Sequence, residues 1–418
     1  MSGFPEFNYQ DDELFVESVP LKQIAEKFGT PCYVYSQSAL TKAYQEFDAA
    51  FASRDHLICF AVKANSNIAI LNLFAQLGSG FDIVSGGELQ RVIKAGGDPG
   101  KTVFSGVGKS MHEMRMALDA NILCFNVESE SELISLNQIA KEMDKIAPVS
   151  LRINPDVDAK THPYISTGLK ENKFGIPASE AERIYQSAHL YQNIRFIGLD
   201  CHIGSQLTEL EPFIQASKKM LSLLDTLQSK NLEIEHLDLG GGLGIRYTNE
   251  ILPSIRDYIS MLCASTHQAK QRLLIEPGRS LVGNAGILLT RIEYLKHTPV
   301  RNFAIVDAAM NDLMRPTLYD AYHEILPVKK NSGEINDYQI VGPVCETGDF
   351  LGHDRKIGLI SGDFLAIMSA GAYGMSMSSN YNSRFRPAEV LVVDGKSMLI
   401  RKRETMEDLL RNQIEANF

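Results

Sequence analysis

The sequence lacks any apolar run approaching the roughly 20 residues that a helix needs to cross a bilayer. Its first residues, MSGFPEFNYQDDELF, also lack the basic stretch, apolar core and small-residue cleavage site of a secretory signal. These absences exclude a membrane-spanning or exported protein. We therefore expect a soluble, cytoplasmic protein that does not contact a membrane.

Cysteine is scarce, and the six cysteines lack the close paired spacing of a zinc site or a disulfide framework. We expect reduced thiols and no metal ion. Clustered basic charge is missing too: the formal net charge is -10, which disfavours nucleic acid as the main partner. With 44% hydrophobic and 22% charged residues, the composition is that of a globular protein that acts on a small molecule.

Between about residues 55 and 280, short β-rich runs alternate with helical patterns, which is typical of parallel βα units. Eight such units close a TIM-type barrel. The eight β-rich runs are 57–62, 80–84, 102–105, 124–127, 149–153, 196–202, 236–239 and 273–275. One of the intervening helical patterns, 131–145, begins with the capping pattern of Ser129 and Glu132.

After residue 281 the sequence changes to successive β-rich segments separated by turn signals, which predicts a compact β domain. The segments are 286–295, 303–306, 338–341, 356–360, 364–368 and 389–393. The predicted fold is therefore α/β plus β. A (β/α)8 TIM-type barrel spans 36–280 and a C-terminal β-sandwich or barrel-like domain spans 281–418. The N-terminal segment, 1–35, contributes a strand-like run at 13–19 to the β domain.

Polar residues cluster where the predicted barrel strands end, and in a TIM barrel that rim is the active-site face. Lys63, Ser85, His202, the glycines 240–242 and the 276–279 segment all lie at or just after a strand's C-terminal end. Any one of them alone is more readily explained as a solvated surface residue. Five on one rim indicate a site.

The types of residue at this rim suit a phosphate-bearing cofactor with an aldehyde. Lys63, partly desolvated after an apolar strand, could form a Schiff base. The amides of Gly240, Gly241 and Gly242 could face a phosphate, although most glycine clusters are turns. Glu276 could face a pyridine nitrogen or pair with Arg279 in a rim salt bridge. His202 could stack on a cofactor ring or be a buried histidine satisfied by hydrogen bonds.

Seven ordered motifs resemble those of fold-type III pyridoxal-phosphate (PLP) decarboxylases. They are FAVKAN at 60–65, FDIVSGGEL at 81–89, HIGSQ at 202–206, LDLGGGLG at 237–244, EPGR at 276–279, CETGD at 345–349 and GAYGMSMSSNYN at 371–382. Within that group, the segments at 161–176 and 314–325 resemble most closely the diaminopimelate decarboxylases. The resemblance implies decarboxylation of meso-2,6-diaminopimelate to L-lysine and carbon dioxide, the last step of lysine biosynthesis.

The resemblance also assigns roles to individual residues. Lys63 carries pyridoxal 5'-phosphate, His202 stacks on its ring and Glu276 faces its nitrogen. The other residues expected to bind the cofactor are Asp82, Ser85, Ser205, Gly240, Gly241, Gly242, Gly278, Arg279 and Tyr373. Those expected to bind the substrate are Arg279, Arg315, Tyr319, Glu346 and Tyr373. Cys345 is the expected proton donor and comes from the second subunit of a homodimer with shared active sites.

Three other functions have to be weighed against this one. An ornithine or arginine decarboxylase has the same fold, but a distal carboxylate calls for an arginine and a distal ammonium for an acid, and Arg315 and Glu346 supply both. Alanine racemase shares the barrel and the lysine, but EPGR and CETGD disfavour it. A catalytically dead regulator would be expected to have lost Lys63 or Cys345, and both are present.

Overall fold

The computed structural model describes residues 6–158, 172–330 and 333–416. The chain forms two compact units. The first comprises Thr41–Ile245 and Ile251–Leu281, and the second comprises the residues up to Leu40, Arg246–Glu250 and those from Val282 onwards. Most of the predicted 161–176 motif lies outside the described residues.

The strands are, in chain order, β1 (Phe7–Gln10), β2 (Glu13–Val16), β3 (Val19–Pro20), β4 (Cys32–Ser36), β5 (His56–Ala61), β6 (Gly80–Ile83), β7 (Thr102–Phe104), β8 (Cys124–Val127), β9 (Ala147–Asn154), β10 (Ile176–Pro177), β11 (Ile194–Cys201), β12 (His236–Asp238), β13 (Arg272–Ile275), β14 (Gly286–Lys296), β15 (Asn302–Val306), β16 (Ile325–Pro327), β17 (Ile335–Val341), β18 (Phe350–Gly358), β19 (Phe364–Ile367), β20 (Ala388–Val393) and β21 (Lys396–Arg401). The α-helices are α1 (Leu21–Phe28), α2 (Gln37–Phe51), α3 (Ile68–Gln76), α4 (Gly86–Lys94), α5 (Met111–Ala120), α6 (Glu130–Glu142), α7 (Ala178–Gln186), α8 (Glu211–Gln228), α9 (Ile255–Ser265), α10 (Arg279–Val282), α11 (Arg315–Tyr319) and α12 (Met406–Leu410).

The first unit is a closed parallel barrel of eight strands. These strands are β5, β6, β7, β8, β9, β11, β12 and β13, and each pairs in parallel with its neighbours. The barrel closes because β13 pairs with β5. The two-residue β10 pairs in parallel with the last two residues of β9. Each of the eight β-rich runs in the sequence forms one of these strands. The predicted TIM-type barrel is therefore confirmed.

Local sequence explains where the barrel helices begin, as α6 illustrates. Ser129 is its N-cap, and its side chain accepts a hydrogen bond from the backbone N–H of Glu132. The carboxylate of Glu132 does not return to Ser129; it accepts from Lys109 Nζ at 2.7 Å and from Glu128 N at 3.0 Å. The predicted capping pattern thus starts the helix, while its acid is used to hold a buried lysine.

The second unit is built around a nine-stranded sheet into which the N-terminal segment is woven. β4 pairs with β14 in antiparallel orientation and with β20 in parallel orientation, so it lies inside the sheet. β1, β2 and β3 form a separate three-stranded sheet whose buried side chains pack in one core with Val34, Ile287 and Val390. The predicted β domain that takes in the N-terminal strand is confirmed.

Two of the predicted β segments differ from the strands that the structure has in their place, and β1, β4, β16 and β21 were not predicted. The single run predicted at 13–19 is two strands, β2 and β3, because Glu17 turns the backbone with φ at 53°. The segment predicted at 356–360 is the end of β18, which begins at Phe350. β18 lies at one edge of the sheet, where charged side chains such as His353, Asp354 and Arg355 are tolerated and obscure the apolar pattern.

Over the described residues, no helix combines the length and the apolar character needed to span a membrane.

Candidate active site

Lys63 and Asp82 form a close ion pair at the C-terminal ends of two adjacent barrel strands. β5 ends at Ala61, whose N–H donates to Pro277 O at 3.1 Å, and a short turn then presents Lys63. Lys63 Nζ lies 2.7 Å from Asp82 Oδ2. The Asp82 side chain is wholly buried, and its second oxygen, Oδ1, has no hydrogen-bond partner among the described residues. A buried carboxylate with an unused oxygen beside a lysine suits the binding of a further donor.

Three more carboxyl groups meet inside the barrel, those of Asp200, Asp238 and Glu276. They come from β11, β12 and the segment after β13, and one oxygen of each lies within 4.8 Å of the other two. All three side chains are buried. Glu276 Oε1 also lies 3.4 Å from Asn126 Nδ2 and from Ser105 Oγ, while Gly240 N donates to Asp238 Oδ1 at 2.9 Å.

Near neutral pH, this carboxyl cluster retains protons that exposed carboxylic acids would already have lost. Burial raises the pKa of Asp238 to about 7; the hydrogen bond from Gly240 opposes this rise, and the charge of Asp82 adds to it by a smaller amount. Burial and the neighbouring carboxylates raise the pKa of Asp200 and of Glu276 well above their ordinary values. Three acids this close cannot all be ionised, so the cluster shares at least one proton.

His202 lies just after β11 and is held as a neutral imidazole. Gly241 N donates to His202 Nδ1 at 3.1 Å, which leaves the proton of the neutral ring on Nε2. Burial lowers the pKa of His202 well below its ordinary value, and the positive charges of Arg152 and Lys63 lower it further. An uncharged imidazole in this position can lie flat against an aromatic ring. Both possibilities left open by the sequence, a satisfied histidine and a stacking one, are compatible with this geometry.

Glycines 240–242 are required by packing as well as by backbone conformation. Gly240 and Gly242 have φ of 66° and 114°, which residues with a side chain rarely adopt. A Cβ on Gly241 would come within 2.2 Å of Glu276 O. The amides of Gly240 and Gly241 donate to Asp238 and His202, so these two N–H groups are already used within the barrel. The loop therefore approaches the barrel mouth closely, but at most one of its three backbone amides is left to bind a phosphate.

Arg279 and Ser205 bring two distant motifs together. Arg279, buried at the start of α10, donates from Nη2 to Ser205 Oγ at 3.0 Å. The loop that carries Ser205 is tied to the glycine loop by Gln206, which accepts from Ile245 N at 3.1 Å and donates to Ile245 O at 2.6 Å. A guanidinium and a hydroxyl fixed side by side suit a phosphate group. Ser85 caps α4 by accepting from Glu88 N at 3.2 Å.

The barrel residues fit PLP. The cofactor needs an amine, an acid for its ring nitrogen and donors for its phosphate. Lys63 supplies the amine, Glu276 the acid, and Arg279 with Ser205 the donors. The unused oxygen of Asp82 suits a ligand with a cationic ring. The closely approaching glycine loop suits a compact anionic group.

Sequence reasoning missed three charged residues of this site, Arg152, Asp200 and Asp238. Each is a buried ionisable residue inside a barrel strand, and an ionisable side chain within a predicted strand was the available signal. Arg152 Nη1 binds Glu128 Oε1 at 2.9 Å. Burial alone would lower the pKa of Arg152, but the charges of Glu128, Asp200 and Glu276 raise it, so it stays a cation beside the carboxyl cluster.

The second unit carries the remaining candidate residues. Arg315 begins α11 and is buried, with its Nη1 2.8 Å from His323 Nε2 and its guanidinium 4.9 Å from the ring centre of Tyr247. Tyr319 ends the same helix and is half-buried. Tyr373 has φ at 55°, an uncommon conformation for a residue with a side chain that is often found at functional sites.

Cys345 and Glu346 are exposed on the second unit. Cys345 N donates to Asn382 Oδ1 at 3.0 Å, and Tyr381 donates its hydroxyl to Glu346 Oε2 at 2.8 Å. Asp349, from the same motif, has a structural role: it accepts from Met310 N at 2.6 Å and from Val344 N at 2.8 Å and so closes the loop. The motif therefore consists of a buried anchor and two exposed chemical groups.

Comparison with known proteins identifies the family of this chain. Residues 37–283 match the family model described as the pyridoxal-binding domain of pyridoxal-dependent decarboxylases. The diaminopimelate decarboxylase of Pseudomonas aeruginosa is 57% identical over 403 residues, which cover 96% of this chain and 97% of that protein.

Solved structures give the same result. The diaminopimelate decarboxylase of M. jannaschii in complex with L-lysine superposes with a TM-score of 0.95 at 41% identity, covering 100% of this chain and 99% of that one. That of Helicobacter pylori with L-lysine has a TM-score of 0.91 at 44% identity, covering 94% and 98%. By sequence and by fold, this chain belongs to the diaminopimelate decarboxylase family of pyridoxal-dependent decarboxylases.

Proposed function

We propose that this chain removes one carboxyl group from meso-2,6-diaminopimelate to give L-lysine and carbon dioxide, the last step of lysine biosynthesis, with PLP as its cofactor. The observation that carries the proposal is the gathering of Lys63, Asp82, His202 and Glu276 at the mouth of one barrel, in a member of this family. The charge of Lys63 acts on two of these residues: it adds to the effect of burial in lowering the pKa of His202, and it partly opposes the burial that raises the pKa of Glu276.

When bound, PLP supplies a ring that accepts the electron pair left behind as carbon dioxide departs. Lys63 attaches the cofactor through Nζ, and Asp82 Oδ2, 2.7 Å away, orients that amine. Glu276 would face the ring nitrogen and, because its cluster retains a proton at neutral pH, could share that proton with the nitrogen. The neutral His202 would lie against the ring without adding charge to it.

The phosphate is held by Arg279 and Ser205 together with the glycine loop, 240–242. Gly278, Ser85 and Tyr373 complete this set as the resemblance implies. The pairing of Arg279 with Ser205 at 3.0 Å supports the assignment, because it fixes the orientation of the guanidinium before the anion arrives.

The substrate is selected by its second amino-acid head. Arg315 binds the distal carboxylate through its planar guanidinium, and Glu346 binds the distal ammonium. Tyr319, Tyr373 and Arg279 contribute further contacts. Cys345 acts last: its Sγ–H donates a proton to the substrate carbon that has lost its carboxylate.

We further propose a cytoplasmic homodimer in which Cys345 and Glu346 of one subunit complete the site of the other. The exposure of both residues supports this, since Cys345 is the exposed member of six cysteines that lie wholly within the described part of the chain. All six are free thiols, which fits a reducing compartment.

The alternative is an ornithine- or arginine-type decarboxylase on the same fold. Such substrates end in a cation, and a buried Arg315 would repel a cation rather than bind it. We therefore favour diaminopimelate.

A substrate panel tests the proposal. Purified holoenzyme is offered meso-diaminopimelate, ornithine, arginine, lysine and alanine, and released carbon dioxide is measured, with alanine racemisation followed in parallel. Carbon dioxide from diaminopimelate alone is the expected result. Equal turnover of ornithine or arginine would favour the alternative, and racemisation of alanine without carbon dioxide would indicate a racemase.

A further inference from the structure

Arg315 is held by two side chains that the proposed mechanism does not use. His323 Nε2 lies 2.8 Å from Arg315 Nη1, and the ring of Tyr247 lies under the guanidinium at 4.9 Å. The His323 and Tyr247 rings meet edge to face, with centroids 5.4 Å apart. His323 is wholly buried and Arg315 nearly so. The three side chains form one packed group within the second unit. His323 contacts an edge of the guanidinium, and Tyr247 contacts its face.

The partners of His323 determine its protonation state. A guanidinium offers only N–H donors, so His323 Nε2 has to accept. On the other side of the ring, Nδ1 lies 2.8 Å from Met368 O, and a carbonyl oxygen can only accept, so Nδ1 has to donate. His323 is therefore a neutral imidazole with its proton on Nδ1. A second proton would place a donor against a donor and a cation against a cation.

The backbone around His323 is fixed on two sides, so the ring cannot follow Arg315 if the guanidinium moves. Met368 N donates to Glu324 O at 2.8 Å, next to the side-chain contact of His323 with Met368 O. Arg355, from β18, donates from Nη2 to His323 O at 2.9 Å. A fixed acceptor of this kind holds the guanidinium in one position. Without it, the long arginine side chain would sample several rotamers.

We propose that His323 is a positioning residue for substrate recognition: it fixes Arg315 for the distal carboxylate of the substrate without neutralising its charge. The inference rests on the proposed role of Arg315. A carboxylate in place of His323 would also orient the guanidinium, but it would compete with the substrate for the same charge. A neutral acceptor does not itself offset the positive charge that attracts the distal carboxylate, while Tyr247 supports the face of the cation.

Two substitutions separate the two hydrogen bonds of His323. In His323→Asn, the side-chain amide lies as many bonds from Cβ as Nδ1 does, so the N–H to Met368 O can be kept while the acceptor for Arg315 is lost. In His323→Gln, the amide oxygen lies as many bonds from Cβ as Nε2 does and can still accept from Arg315. The two variants are similar in polarity and both remove the imidazole. They differ in which partner they retain.

The experiment compares the holoenzymes of wild type, His323→Asn, His323→Gln and Arg315→Ala. kcat and KM are measured with meso-diaminopimelate, and the Kd for L-lysine, which retains the distal carboxylate of the substrate, is measured by calorimetry. We expect His323→Asn to raise KM and the Kd at least about ten-fold, the effect of losing a hydrogen bond to a charged group. Its kcat should change less. His323→Gln should stay within about three-fold of wild type, and the cofactor absorbance should be the same in all four proteins.

Any of three outcomes for the His323 variants would overturn the inference. His323→Asn and His323→Gln could give equal constants, or His323→Asn could bind like wild type while Arg315→Ala does not. Both His323 variants could also lose affinity in parallel with their thermal midpoints, which would make His323 a purely structural residue. An Arg315→Ala enzyme with unchanged KM would instead refute the substrate role proposed for Arg315, and the inference with it. A wild type that releases no carbon dioxide from meso-diaminopimelate would overturn the proposed function itself.

Discussion

Lys63 Nζ lies 2.7 Å from Oδ2 of Asp82, a wholly buried carboxylate at the end of the neighbouring barrel strand. The pair places the amine at the barrel mouth, with Asp82 Oδ1 still lacking a hydrogen-bond partner among the described residues. If this lysine attaches the cofactor, reduction with borohydride should fix PLP to it covalently.

The first prediction is therefore that, after borohydride treatment, peptide mapping finds the cofactor on Lys63. The untreated protein should be yellow, and Lys63→Ala should be colourless and unlabelled because the amine beside Asp82 is lost. Lys94→Ala, an exposed lysine of α4, serves as the matched control and should be labelled like wild type. A label on any other lysine would show that the cofactor site is misassigned.

The second prediction concerns the buried carboxyl cluster and pH. The pKa of Asp238 is raised to about 7 by burial, so the folded state retains a proton that the unfolded chain loses near pH 4. The free energy of unfolding of the wild type therefore falls as the pH rises from about 4 to about 7. Asp238→Asn cannot ionise, yet it can still accept from Gly240 N. Relative to wild type it should gain stability across this window, at about 1.4 kcal/mol per unit of pKa shift.

This gain is measured by urea unfolding of the cofactor-free enzyme at pH 5, 6 and 7. Asp225→Asn, an exposed aspartate of α8, is the control and should show no such trend. A difference in unfolding free energy between Asp238→Asn and wild type that stays constant over this range would mean that Asp238 is ionised throughout.

The third prediction concerns substrate specificity. As substrates, ornithine and lysine must place their one carboxylate at the reacting position and so have no distal carboxylate for Arg315, and kcat/KM should be lower by roughly 10⁴-fold. Arg315→Ala should damage turnover of diaminopimelate severely, whereas Arg301→Ala, an exposed arginine of the same unit, should not. Comparable efficiency of the wild type on ornithine would contradict this account of Arg315.

The fourth prediction tests whether the active site is shared between subunits. Lys63→Ala and Cys345→Ala are each inactive if both residues are needed. When the two are dissociated and reassembled at random, half of the dimers are mixed, and one of the two sites in each mixed dimer has an intact lysine and an intact cysteine. About one quarter of wild-type activity should return.

Mass measurement has to show that mixed dimers formed. If they form and activity stays at the level of the single variants, Lys63 and Cys345 act in the same subunit or Cys345 has no catalytic role.

Much of this fold and many of the candidate residues follow from local sequence. Each barrel strand is a short apolar run, and the polar residue that follows it, such as Lys63 after β5, marks the rim, because parallel strands in a barrel all end on the same face. The start of α6 is likewise local, since the hydroxyl of Ser129 binds an amide three residues away. Five of the seven motifs of the family lie at these barrel strands, so the resemblance and the local sequence identify the same rim.

The tertiary structure alone decided which distant charges meet. Asp200, Asp238 and Glu276 lie on different strands, and only closure of the barrel brings their oxygens within 4.8 Å and raises their pKa values. His323 reads in the sequence as one polar residue among others, and its role depends on Met368 O, 45 residues away. The sequence by itself determined the elements and their chemical groups. The protonation states of those groups depend on burial and on neighbours that only the folded chain brings together.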